Sequence, residues 1–211
     1  MVNQPLRLAG LISAGLGVVL TGFPLAASAQ ANLRSSFPGR RVGGGTRGEC
    51  SARTLAHLVP DSSVFSPGAA ADLALVQGPT ANPVSLTLTF MPEGGGAPAR
   101  RTLPASTAAL ILVKGATVTA PMVWESGFDC AEGDTGASAD PLAFVETASP
   151  PALSLLVPTP DPSDAPIQKA IQSLRQSCGA TVPAAATLAQ FGLADVVTAE
   201  WPQQLPVRCP S

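Results

Sequence analysis

The stretch PVSLTLTFMP, Pro83 to Pro92, alternates strictly, with Val84, Leu86, Leu88 and Phe90 on one face and Ser85, Thr87 and Thr89 on the other. Period-two alternation of this length, closed by proline, is the pattern of a strand that keeps one face in a core. Outward from it the theme repeats, with turn residues between. PEGGGAPAR (92–100) reads as a loop and TAALILVKG (107–115) as a bounded apolar segment. TVTAPMVWESGFDC (117–130) reads as a further strand with Met122, Trp124 and Phe128 in register. Pro121 belongs at its start or at a sheet edge, where the missing N–H is harmless. Upstream, TLAHLVP (54–60) is a short apolar piece ended by proline. No long helical crossover separates these segments, so the expected fold is mainly β, an antiparallel β-sandwich-like domain.

Past Cys130 the texture changes. AEGDTGASADP (131–141) is an acidic loop of small residues, PALSLLVP (151–158) a short apolar segment, and TPDPSDAP (159–166) a Pro/Asp linker. Ile167, Ala170, Ile171, Leu174 and Cys178 then recur at helical spacing, opened by Ser163 and Asp164, with Pro166 in the first turn and Gly179 as the stop. VPAAATLAQFGLADVV (182–197) repeats the pattern around Leu188 and Phe191, and Gly192 ends it. The resulting organisation is a signal peptide (1–29), a flexible leader (30–45), a β-sandwich-like domain (46–145), a Pro/Asp-rich linker (146–163) and a small two-helix C-terminal appendage (164–211). The last extended piece, LPVRC (205–209), would be tied back to the first helix through Cys209.

The first residues carry one base, Arg7, then an apolar run from Leu8 to about Leu20, then Ala27-Ser28-Ala29. This is the layout of an export signal cleaved after Ala29. The run is short for a span and broken by Gly10, Gly15 and Gly17, so no stable membrane span is expected after its removal. The location expected is exported, periplasmic or extracellular. Cleavage leaves roughly 180 residues, enough for one domain with a sizeable core. In an oxidising compartment four cysteines are read first as two disulfides. Three pairings are formally open. Cys50 with Cys130 and Cys178 with Cys209 is preferred, because composition shifts between the second and third cysteines. Zinc is disfavoured, since there is no C-x-x-C and His57 is the single histidine.

A formal net charge of −2 argues against nucleic acid as partner. The charge is nevertheless uneven. Arg34, Arg40, Arg41, Arg47 and Arg53 crowd the start, whereas Glu125 to Asp164 holds eight acids and no base. If Cys50 pairs with Cys130, Arg47 and Asp129 meet at one end of the fold and the two blocks partly neutralise each other; two solvated patches are the alternative.

Several stretches carry a hint of chemistry. GRRVGGGTRGEC (39–50) satisfies G-x-G-x-x-G, but no strand precedes it and no Gly-Lys-Ser/Thr follows. It is therefore read as a glycine turn near a disulfide rather than a phosphate cradle. His57 could act as a general base with Asp61, Ser62 or Ser63 nearby in sequence, yet no G-x-S-x-G elbow is present, and it is read instead as a partly exposed or hydrogen-bonded structural histidine. Glu125, Asp129, Glu132 and Asp134 could supply paired carboxylates for glycoside cleavage, with few aromatics to hold a sugar. Asp129, Glu132, Asp134 and Asp140, with Gly133 and Gly136, offer hard oxygens for calcium at a spacing that is not that of an EF-hand. Trp124 is read as a core residue packed against the disulfide. No catalytic residue, metal ligand or cofactor is assigned, and the site residues named are the disulfide cysteines. The function expected is an exported noncatalytic structural or binding module of the cell envelope, with an envelope protein or polysaccharide as partner. The alternatives are a shallow-site hydrolase using His57 or the acidic loop Asp129 to Asp140, a calcium-responsive envelope protein, or a redox- or metal-responsive use of the cysteines.

The elements PGRRVGGGTRGEC, LAHLVP, the TLP step (102–104) and APMVWESGFDC, taken together, resemble domain of unknown function 928, a family of exported proteins mostly from cyanobacteria. The resemblance covers roughly residues 38–130. It departs where the family carries an aromatic-rich middle strand, since this chain has no tyrosine and shows ADLALVQGP and PVSLTLTFMP there. The family's Trp and Arg closing segment is also missing. The resemblance implies an all-β envelope protein and supplies no catalytic residues.

Overall fold

The alternating stretch forms β5 (Leu86–Pro92), flanked by β6 (Ala99–Leu103) and β8 (Met122–Phe128). The structure, a computed structural model, describes residues 34–45, 53–129 and 150–210. Leu86 and Leu88 are buried, and Thr87 lies on the opposite face, as the alternation requires. With β9 (Ala152–Leu156) and the short β3 (Val64–Phe65), these strands make a five-stranded sheet in the order β3-β9-β8-β5-β6.

The second sheet has six strands, in the order β1-β2-β4-β7-β11-β10. They are β1 (Val42–Gly45), β2 (Arg53–His57), β4 (Asp72–Gln77), β7 (Ala109–Lys114), β10 (Thr181–Pro183) and β11 (Gln204–Arg208). Its two central strands do not alternate. Leu73, Ala74, Leu75 and Val76 of β4 and Ala109 to Val113 of β7 are all buried, because each face of this sheet is covered. One face meets the five-stranded sheet. The other meets helix α1 (Ala165–Gln176), which buries Ile167, Ala170, Ile171 and Leu174 and carries Arg175 to Asp72 at 2.6 Å.

Most pairings are antiparallel, but β3 with β9 and β7 with β11 are parallel. The fold is thus the mainly β, sandwich-like one expected, with two parallel pairings that make its sheets mixed. Parallel neighbours need long connections, and both arise between segments far apart in sequence.

The expected boundaries also change. The span 146–163 contains β9, an inner strand paired on both sides, rather than linker alone. The leader 30–45 contains β1. The C-terminal segment has its two helices, α1 and α2 (Ala184–Ala189), and the Cys178–Cys209 disulfide, with Cα atoms 5.7 Å apart. It is not an outlying appendage, however. β11 joins the sheet beside β7, and Leu188, Phe191, Trp201, Leu205 and Val207 share one buried cluster with Leu88 and Trp124. Cys50 and Cys130 lie outside the described residues.

The glycine-rich stretch is corrected as well. Gly43 to Gly45 are not a turn but strand residues, paired with Leu55, Thr54 and Arg53 of β2. The same segment also bonds the opposite sheet. Arg40 N–H donates to Leu153 C=O at 3.0 Å, Leu153 N–H returns to Arg40 C=O at 2.7 Å, and Gly44 N–H donates to Pro150 C=O at 3.0 Å. This one stretch closes the sandwich along its β2/β9 side. Backbones approach so closely that a Cβ on Gly43 would lie 2.4 Å from Ala152 N and 2.6 Å from Pro150 O. Gly44 has φ 119°, a conformation that side chains disfavour.

Gly43→Ala should therefore destabilise the fold by about 1–3 kcal/mol, the range of overpacking. Chemical denaturation checks this, and an unchanged midpoint would contradict the closure.

Candidate functional site

His57, the last residue of β2, points from one sheet into the other. Its row runs His57, Leu75 and Ile111 across β2, β4 and β7, and this row faces β8 and β9. The imidazole Nδ1 lies 2.8 Å from Ser154 Oγ of β9, and Nε2 lies 2.8 Å from Ser126 Oγ of β8. The ring stacks on Trp124, with centroids 3.5 Å apart and planes within 9°. Phe90 of β5 continues the aromatic layer, 6.4 Å from Trp124. All four of His57, Trp124, Ser126 and Ser154 are 0% exposed.

The chemistry follows from burial. A neutral imidazole has one donor and one acceptor nitrogen, so one serine accepts its proton and the other donates to it. Among the described residues no carboxylate is bonded to the ring. Burial alone pushes the His57 pKa well below 6.5, and the ring is held neutral. Among the described residues, Trp124 Nε1 has no hydrogen-bond partner.

The residues near His57 in sequence go elsewhere. Asp61 is 84% exposed and pairs with Arg41. Ser62 Oγ accepts from Val64 N at 3.3 Å, and Ser63 Oγ accepts from Arg41 N at 3.2 Å. The triad-like grouping of His57 with Asp61, Ser62 or Ser63 is therefore not formed. Ser126 and Ser154 were legible only as polar residues at inward positions, two places from Trp124 and in the middle of ALSLL.

The acids separate similarly. Glu125 lies between the inward Trp124 and Ser126, so its side chain leaves on the outer face. Asp129 accepts from Thr87 Oγ1 at 2.7 and 2.9 Å. The two are on the order of 13 Å apart along an extended chain, beyond the separation that glycoside cleavage uses. Glu132, Asp134 and Asp140, and with them the rest of the calcium and glycosidase sets, lie outside the described residues, as does Arg47. Among the described residues, no group of three or more His, Cys, Asp or Glu could hold a metal.

Two of the early arginines, Arg34 and Arg41, have structural partners. Arg34 grips the fully buried Asp164 with two bonds, 3.0 and 2.6 Å, and lies 2.9 Å from Asp161. Asp164 also accepts from Ser66 N at 2.9 Å. Asp161 is held below the usual carboxylate range, first by the Ser163 hydroxyl and backbone N–H, with Arg34 adding to this. Arg41 donates to the carbonyls of Val59, Phe191 and Gly192, at 2.9, 2.6 and 3.1 Å. The basic and acidic blocks do meet, through Arg34 with Asp161 and Asp164.

Hollows also mark the surface of the described residues. An apolar one of about 120 Å³ opens beside Leu73, Phe90, Met122 and Leu156. A second, about 520 Å³, lies against the disulfide, and a third, about 320 Å³, lies between Phe65–Asp72 and α1. His57 lines none of these. Among the described residues no helix is long and apolar enough to cross a membrane. No protein-family model matches the chain, and no curated protein matches it.

The pH dependence has a definite sign. An unfolded imidazole binds its proton near 6.5 and the folded one only well below. Between those values the unfolded chain carries the extra proton, and stability falls by about 1.4 kcal/mol for each pH unit lowered. Urea midpoints at pH 7 and pH 5 should show this loss, and His57→Gln should flatten it. An equal slope in the variant would contradict the assignment.

Proposed function

We propose that this chain is an exported, noncatalytic structural or binding module of a cell envelope. The observation that carries this reading is the burial of His57. The one histidine that could serve as general base is 0% exposed, is bonded on both nitrogens by serine hydroxyls and has no carboxylate behind it. A general base must reach a substrate proton within hydrogen-bonding distance. Both Ser126 and Ser154 are equally sealed, so neither is offered as a nucleophile.

Export rests on the N-terminal pattern of Arg7, the apolar run and Ala27-Ser28-Ala29. The Cys178–Cys209 disulfide agrees with an oxidising compartment. Resemblance to domain of unknown function 928 points the same way, and an envelope protein or polysaccharide remains the proposed partner class.

Diethyl pyrocarbonate tests the reading directly, alongside a panel of chromogenic esters and glycosides. The folded protein should show no turnover, and His57 should react only after denaturation. Turnover that disappears in step with rapid modification of His57 would overturn the proposal.

A further inference from the structure

The hollow of about 520 Å³ lies at the open side of the sandwich, opposite the side that the Arg40–Gly45 stretch closes. Its walls come from three places: Leu103 and Pro104 at the end of β6, Ile111 of β7, and the Arg208–Pro210 stretch with the Cys178–Cys209 disulfide. The volume falls in the range of small-molecule sites, and the lining is mostly apolar.

Two cations stand at this opening. Arg208 shares the row of Ile111, the row that faces the other sheet. Arg101 shares the row of Leu88, which is likewise inward. Arg101 donates to the Pro210 carbonyl at 3.1 Å, so its charge is fixed at the rim. Among the described residues, none of the side chains lining the hollow is acidic. An apolar slot with positive charge at its mouth complements an alkyl chain that ends in an anion.

We propose that this cleft binds a single-chain amphiphilic anion, such as a medium- or long-chain carboxylate, with its chain against Leu103 and Ile111 and its head at Arg208. The assignment rests on the binding-module reading and names the ligand class. The disulfide holds one wall of the cleft, so reduction should loosen binding. Inward charges near a sheet edge also discourage strand addition, a role that either sign of charge can fill. Arg208→Glu therefore separates the two roles.

Isothermal titration of the oxidised protein with sodium decanoate below its micelle concentration tests the proposal. Saturable binding at one site is expected. Arg208→Glu should weaken it about tenfold or more, the size of one lost charge-assisted contact. Pro104→Trp, at an exposed position of the mouth, should abolish it, and decanol should bind more weakly than decanoate. Absence of saturable binding, binding indifferent to both substitutions, or binding of phosphatidylglycerol vesicles but not of decanoate would overturn the ligand assignment. The same samples are incubated with p-nitrophenyl decanoate. Turnover there would instead sink the noncatalytic reading, so the two failures are distinguishable.

Discussion

The stacked and doubly hydrogen-bonded ring of His57 is the interaction on which the relation between the two sheets depends. Apolar burial brings sheets together without fixing how they sit, since it is non-directional. The ring adds direction. It leaves β2 of one sheet, meets a hydroxyl on each of β8 and β9 of the other, and lies flat on Trp124. A shift of either sheet would strand three buried polar groups, each at a cost of about 1–3 kcal/mol. The aromatic stack contributes about 0.5–1.5 kcal/mol beyond area burial.

Around this clamp the two sides of the sandwich are treated differently. One is sewn shut by Arg40, Gly43 and Gly44, whose backbones bond both sheets, and Arg41 fastens the turn after α2 to the same side. Arg34 then ties the chain before β1 to the start of α1 through Asp164. Opposite, among the described residues, Arg101 bonds β6 to Pro210 of the C-terminal stretch, and the hollow lies beside that contact. Among the described residues, one side of the sandwich is closed and the other carries the hollow.

Legibility in the sequence followed the number of covered faces. β5 alternates because one face is solvated, and α1 shows its stripe because one face is buried, so Leu86, Leu88, Ile167 and Leu174 were placed correctly. The Cys178–Cys209 pairing was readable from the composition shift. β1 was not readable as a strand, since its glycines are selected by close backbone approach and carry no apolar pattern. The C-terminal strand looked detached because its partner, β7, lies about a hundred residues earlier and pairs in parallel. Ser126 and Ser154 were visible only as interruptions of apolar faces. Their meaning needed the third partner, His57, whose reading as a hydrogen-bonded structural histidine named no partner strand.

The most direct test of the clamp is the nitrogen-15 spectrum of the His57 ring in the folded protein at pH 6. A single neutral tautomer, with one protonated and one bare nitrogen and ring protons shifted upfield by Trp124, is the expected result. A ring that titrates near 6.5, with averaged nitrogen shifts and no ring-current displacement, would contradict it.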